Sequence, residues 1–369
     1  MQPIRENRMS PEFAKSVVKT CLRVKKADKV TISTWQHTLD LAEALAIECR
    51  REGAFTETTL STDEVFYDTL LNRPLENLRT TDPFGLALLD IATARIIIDG
   101  PENPERMKTV PTERWDAIFK AGKPFTDKYI QKKTPSIDIQ LGLVTPQRAK
   151  TYGFNYNDWE ASVDAALEVE YEEMSRMGKK IRSLLEKARE VDVSAGLKTR
   201  LTFRLEDRPV RLYDGVIDEE DIAKGLTFAS LPAGSVSVAP NETSANGTFV
   251  SDIPQPQYGK LIHDISWSFK EGKLIAFSGG RNVEAVKATW EKATGDKEKI
   301  ASFTLGINPK AKTGFLDNSI VLGTATIGIG ENRVLGGKNN SSWGFGITTT
   351  KPTVKLDGKI ILKDGKFTV

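Results

Sequence analysis

The first half of the chain alternates two hydrophobic patterns. Lys29 to Thr34 (KVTIST) is a short β-branched run, and Thr38 to Glu52 (TLDLAEALAIECRRE) repeats its apolar residues at helical spacing. Gly53 ends that helix, and Thr56 to Leu60 reads as the next strand. Ala94 to Asp99 (ARIIID) is almost continuously apolar, as a strand covered by helices on both faces requires. Ile137 to Leu143 (IDIQLGL) reads as another. This β-α-β order predicts an open, mostly parallel sheet. Trp159 to Lys187, rich in Glu, Lys and Ala, predicts one long helix or two closely joined ones bridging two domains.

From Arg189 the pattern changes. VDVSA, LTFRL, SVSVAP, GTFVSD, ISWSF and KLIAFSGG are short β-type runs cut by Gly, Pro or Asp, with one helix, Val283 to Lys292, among them. The end, TVKLDGKIILKDGKFTV, carries two Asp-Gly turns between alternating strands, a hairpin signal. The expected class is α/β: an open, mostly parallel sheet domain over 1–190, including the joining helix, then a β-rich α+β domain over 191–369. A length of 369 residues supports two domains.

Composition narrows the function classes. A net charge of +2 with dispersed basic residues argues against a nucleic-acid partner. The most apolar stretch, FGLALLDIATARIIID, is broken by Asp90 and Arg95 and does not span a bilayer. The polar start, MQPIRENRMSPEFAKS, has no secretory pattern, so a cytoplasmic protein is expected. Cys21 and Cys49 lie in helical segments without CxxC spacing and read as buried structural thiols.

The stretch GTATIGIGENRVLGGKNNSSWGFGITTTKPTVKLDGK, Gly323 to Lys359, resembles a metal-ligand segment of the aminopeptidase T/S family of thermophilic metallo-aminopeptidases. That family reads approximately G-T-x-H-I-A-x-G, then G-G, S-x-x-H-x-D and P-T-V-x-x-D-G. The resemblance continues in TWQHTLDLAEALAIECRREGA, RAKTYGFNYNDW, SLPAGSVSVAPNETSANGTFVSD and IASFTLGINPKA, in order along most of the chain. It implies the fold described above, a homodimer, and peptide hydrolysis by two divalent metals, Zn or Co, held by Glu, His and Asp.

Carried over residue by residue, the donors are replaced. Ser235 and Ser302 stand for the two glutamates, Thr326 and Gly344 for the histidines, Gly346 for the aspartate, and Arg333 for a substrate-side tyrosine. Hydroxyls and glycines are poor substitutes for the imidazole and carboxylate that Zn or Co sites use. The sequence therefore predicts no metal, no cofactor and no catalytic residue, in a chain that keeps the frame of a metalloenzyme. The expected function is a catalytically degenerate homologue binding a small molecule or peptide in the former active-site cavity. Ser235, Ser302, Thr326, Arg333, Trp343, Gly344, Phe345 and Gly346 are the expected lining, with Arg333 suited to a carboxylate. The alternative is an aminopeptidase or other amide hydrolase with rearranged ligands or metal-independent chemistry.

Two histidines are present. His263 reads as a hydrogen-bonded strand residue; His37, at a strand-to-helix junction beside Trp35, sits where open α/β sheets bind ligands. Glu242, Asp252, Asp317 and Glu331 read as exposed loop carboxylates, with Glu331 placed to pair with Arg333.

Overall fold

The computed structural model describes residues 9–369, apart from the side chains of Lys108, Thr112, Asp116 and Phe119. The start of the polar opening segment, residues 1–8, lies outside the described residues. Chain contacts divide the molecule into two units. Of the described residues, the first comprises 9–150, 155–171 and 215–232, and the second 151–154, 172–214 and 233–369. The chain thus crosses between units repeatedly, and 215–232, which a single cut at 190 assigns to the second domain, belongs to the first.

The first unit holds a five-stranded sheet. β1 is Lys29–Trp35, β2 Phe55–Ser61, β3 Ala94–Ile98, β4 Ser136–Ile139 and β5 Phe228–Leu231. Their spatial order is β2-β1-β3-β4-β5, and every pairing is parallel. Alternation selects one face for burial: Val30 and Ile32 of β1 and Ala94, Ile96 and Ile98 of β3 are buried, while Thr31, Ser33, Arg95 and Ile97 are half-exposed. Between β1 and β2 runs helix α1, Leu39–Arg51, whose buried Leu41, Ala42, Leu45 and Cys49 form an apolar stripe. Gly53, at φ 82°, ends that connection in the left-handed region.

The expected strand over 137–143 is shorter. It stops at Ile139, and Gln140–Leu143 forms a 3-10 turn. The reason is steric. A Cβ at Gly142 would lie 1.7 Å from the Asp99 carbonyl oxygen, so this glycine lets the loop press onto the end of β3. The expected joining helix is two: α2, Tyr156–Leu167, and α3, Tyr171–Lys187.

The second unit contains two larger antiparallel sheets. One has eight strands, with Glu190–Ala195, Thr199–Arg204 and Thr353–Leu356 near its centre. Its last three strands turn at Asp357-Gly358 and Asp364-Gly365, the two hairpins predicted from sequence. The other has five: β6 Ser235–Val238, β7 Ile300–Gly306, β8 Ala325–Gly330, β9 Gly344–Thr349 and the short strand Arg211–Tyr213. Aromatic pairs join the two sheets: Phe203 meets Phe303 edge-on at 5.2 Å between ring centres, and Trp267 meets Phe345 at 6.0 Å. Among the described residues, no helix is long and apolar enough to cross a membrane.

Candidate functional site

The five-stranded sheet of the second unit has two chemically distinct faces. Val236, Val238, Phe303, Leu305, Ala325, Ile327 and Ile347 lie on one, all buried. The alternate positions are small and polar. Register aligns Ser237, Thr304, Thr326 and Thr348 side by side across β6, β7, β8 and β9. Ser237 Oγ and Thr304 Oγ1 are 2.8 Å apart, and so are Thr326 Oγ1 and Thr348 Oγ1. All four residues are at least nine-tenths buried. The result is a hydroxyl row across the sheet.

Small residues flank it on both sides. Ser302 pairs with Gly328 and Gly328 with Gly346, while Gly330 pairs with Gly344 and Ser235 with Gly306. The glycines have a steric cause: a Cβ at Gly328 would lie 2.3 Å from Ser302 Oγ. Of the eight sequence-predicted lining residues, Ser235, Ser302, Thr326, Gly344 and Gly346 thus share one face of one sheet.

The other three fall elsewhere. Strand alternation puts Phe345, paired with Ile329, on the opposite face, where it packs on Trp267. Trp343 precedes β9, stacks on Phe345, and donates its indole N–H to the Tyr258 hydroxyl at 2.8 Å. Arg333 follows β8 and grips Glu331, with Nε 2.7 Å from Oε1 and Nη2 3.2 Å from Oε2. The Arg333 hydrogen bond, with the Ser341 N–H, holds the Glu331 carboxyl down to about 2. The expected ion pair is present, and it occupies the guanidinium that the sequence suggested for a ligand carboxylate.

Glu242 and Asp252, two more of the carboxylates expected in loops, are also engaged. Glu242 is a correction to the expected exposed loop residue: it is buried and accepts from Arg208 Nη2 at 2.8 Å, the Lys338 N–H at 2.6 Å and Asn332 Nδ2 at 3.3 Å. Asp252 accepts from the backbone and hydroxyl of Thr350 at 2.7 and 2.6 Å. Asp317 is half-buried in the loop after β7. His263 bonds with Arg281 through side chain and backbone.

The family model for thermophilic metalloproteases (M29) matches residues 7–298. The chain belongs to this family. Among solved structures, it is similar to wild-type AmpT from Thermus thermophilus, at 17% identity and a TM-score of 0.73, over 97% of this chain and 98% of that one. It is also similar to 2,5-dihydroxypyridine dioxygenase from Pseudomonas putida, at 17% identity and a TM-score of 0.64, over 100% and 99% of the two chains. At this identity the likeness is one of fold: a parallel-sheet unit followed by an antiparallel β-rich unit. No curated protein sequence matches.

The family match ends before most of the positions that the resemblance assigns to metal ligands. Ser235 lies inside it; Ser302, Thr326, Gly344 and Gly346 lie beyond residue 298. A metalloprotease centre requires carboxylate or imidazole donors that converge. Here Thr326 is bonded to Thr348, Ser235 and Ser302 carry only neutral hydroxyls, and Glu242, Asp252 and Glu331 are each held by another partner. Among the described residues, no group of three or more His, Cys, Asp or Glu could hold a metal ion. The residues present do not fit the group that the family implies.

A further polar pair, missed in the sequence, sits in the first unit. Asp99 follows β3 and Asp138 lies in β4, and their carboxyl groups hydrogen-bond to each other. Their signal is visible in retrospect: an Asp ends the apolar run ARIIID, and another stands within IDI. Only strand pairing shows that they meet.

Proposed function

We propose that this chain is a metalloprotease-family protein that works without the family's dinuclear centre and binds a small molecule or peptide over the polar face of β6 to β9. The hydroxyl row carries this reading. Five former ligand positions share one face, and each offers a hydroxyl or a hydrogen where a dication needs charge. Such a surface favours neutral polar groups, including peptide amides, over ions. Homodimerisation, carried over from the resemblance, belongs to the same proposal.

The test is metal content alongside peptidase activity. After exposure to Zn or Co and removal of free metal, the protein is expected to retain far less than one ion per chain and to release no N-terminal residue from aminoacyl amides. Two retained ions per chain, together with release that a chelator abolishes, would establish the alternative, an amide hydrolase with rearranged ligands.

A further inference from the structure

Strand β2 forms one edge of the parallel sheet of the first unit, and all of its residues except Thr56 are exposed. Proteins blunt such edges, because a row of unpaired backbone groups invites another strand. The other edges of the three larger sheets follow that rule. Arg211–Tyr213, β5 and Lys366–Phe367 are very short, Lys273–Ser278 opens on a lysine and carries a register shift, and β9 is buried over its second half. β2 has none of these devices. Its sequence, FTETTLS, holds a single charge, no Lys and no Pro, and it pairs with β1 without interruption.

The backbone of β2 divides cleanly between its two sides. The Phe55 N–H donates to the Asp28 carbonyl at 2.8 Å. Bonding alternates along a parallel ladder, so Phe55, Glu57, Thr59 and Ser61 turn their N–H and C=O toward β1, while Thr56, Thr58 and Leu60 turn theirs outward. These outward residues, centred on Thr58, match their own two-fold image. An antiparallel second copy about an axis through Thr58 sets Thr56 opposite Leu60 of that copy and Thr58 opposite its equivalent. Each opposed pair then exchanges two hydrogen bonds.

Both layers beside the edge add apolar surface. Phe55 and Leu60 of β2 and Ile91 of the helix Pro83–Ile91 are each more than half exposed. Phe55, Leu88 and Ile91 line a groove of about 410 Å³. Right-handed crossovers put α1 on the opposite face, where Ile47 is exposed. A strand pair alone falls short of the roughly 800 Å² per partner of a stable interface, and these side chains extend it on both faces.

Charge agrees with the same arrangement. Arg50 Nε donates to Thr56 Oγ1 at 2.8 Å, which lays the exposed Glu43, Ile47 and Arg50 stripe of α1 along the edge. Because α1 runs back against β2, Glu43 lies toward Leu60: it is about 10 Å from Arg50 along the helix axis, and Leu60 is about 13 Å from Thr56 along the strand. Setting Thr56 against Leu60 of the second copy therefore brings Arg50 toward Glu43 of that copy, and symmetry repeats the contact.

We propose that β2 is a dimerisation edge, at which two copies of this chain pair antiparallel about Thr58 and join their parallel sheets into one. This gives a surface to the homodimer that the family resemblance implies, but it follows from the edge itself. It is independent of the ligand face proposed in the second unit.

Sedimentation velocity of the full chain, from about 1 to 100 μM, tests it. The wild type is expected to dimerise. Thr58→Pro removes an outward N–H and leaves the bonds to β1, and Thr58→Lys sets two ammonium groups face to face. Each is expected to raise the dimer dissociation constant about tenfold or more, with circular dichroism checking that the fold is kept. Glu43→Lys and Arg50→Glu are each expected to weaken the dimer, and their combination to restore it. In residue-resolved hydrogen exchange, the amides of Thr56, Thr58 and Leu60 are expected to be protected in the wild type and to exchange in Thr58→Lys, with Glu57 and Thr59 protected in both. A wild-type monomer throughout the range would overturn this interface and the family homodimer together. A dimer that the folded Thr58 variants leave intact, or open amides at Thr56, Thr58 and Leu60 within a dimer, would overturn this interface alone.

Discussion

Asp99, just after β3, and Asp138, in the adjacent parallel strand β4, share a hydrogen bond between carboxyl groups, which requires a proton between them. Burial, then the neighbouring Asp99 charge and the shared bond, push Asp138 up to about 7, while Ser230 Oγ, 3.4 Å away, acts in the opposite sense. Burial raises Asp99 too, with Asp138 and Arg148 opposing.

The sign of the resulting pH dependence follows from linkage. An unfolded Asp titrates near 3.9, so between about pH 4 and 7 the folded state holds the extra proton. Stability contributed by the pair is complete below that window, declines through it and is lost above about 7. Asp138→Asn keeps a donor toward Asp99 without the titrating proton. It is expected to flatten the urea-unfolding free energy between pH 5 and 8, and to exceed the wild type by about 2 kcal/mol at pH 8. A wild-type stability that climbs from pH 5 to 8, with no change in the variant, would remove the pair from that role.

The hydroxyl row makes a second prediction. Thr326→Val leaves the buried Thr348 hydroxyl without the partner 2.8 Å away. A buried polar group deprived of its partner costs about 1–3 kcal/mol, whereas replacing both members by isosteric apolar groups is nearly neutral. Thr326→Val is therefore expected to destabilise by about 1–2 kcal/mol, and Thr326→Val with Thr348→Val by much less. Equal or additive losses in denaturant titrations would show that the two hydroxyls act independently.

How much of this was legible in the sequence depends on the range of the contacts. Runs such as KVTIST and ARIIID, and the Asp-Gly turns near the end, specify strands and hairpins through local pattern, and the two-part α/β and β-rich fold followed. β5 was missed because FASL is only four residues long and joins the first sheet after an excursion of the chain into the second unit. The shared face of Ser235, Ser302, Thr326, Gly344 and Gly346 was approached through family resemblance, while the separation of Phe345 from them follows from strand alternation. The burial of Glu242 was not legible, since its partners lie at Arg208, Asn332 and Lys338.

That Glu242 network supports a third prediction. Burial alone would raise the carboxyl, but the Lys338 N–H, the Asn332 amide and the Arg208 charge outweigh it and hold it below its ordinary value. Its contribution is therefore present above the unfolded value, near 4.3, and is lost as pH falls through the depressed folded value. Glu242→Gln leaves the largely buried Arg208 without its countercharge. A loss of about 2–4 kcal/mol at pH 7 is expected, narrowing toward the wild type in acid. A loss that stays constant down to pH 3 would assign the effect to packing.

Two glycines of the first unit offer a matched test of the contact between the turn after β4 and the end of β3. Gly122 lies inside the helix Thr112–Lys132, and a Cβ there meets nothing within 4 Å. Gly122→Ala removes the helix penalty of glycine and is expected to stabilise by about 0.5–1 kcal/mol. Gly142→Ala meets the Asp99 carbonyl at 1.7 Å, and that obstacle is backbone rather than a movable side chain. Accommodating it must separate the turn after β4 from the end of β3, at about 2–3 kcal/mol. The same displacement moves the Gly142 carbonyl that anchors His37, so amide exchange over 37–41 is expected to quicken in Gly142→Ala and to hold in Gly122→Ala. Equal exchange rates over 37–41 in the two folded variants would show that the contact between these loops does not hold the segment after β1.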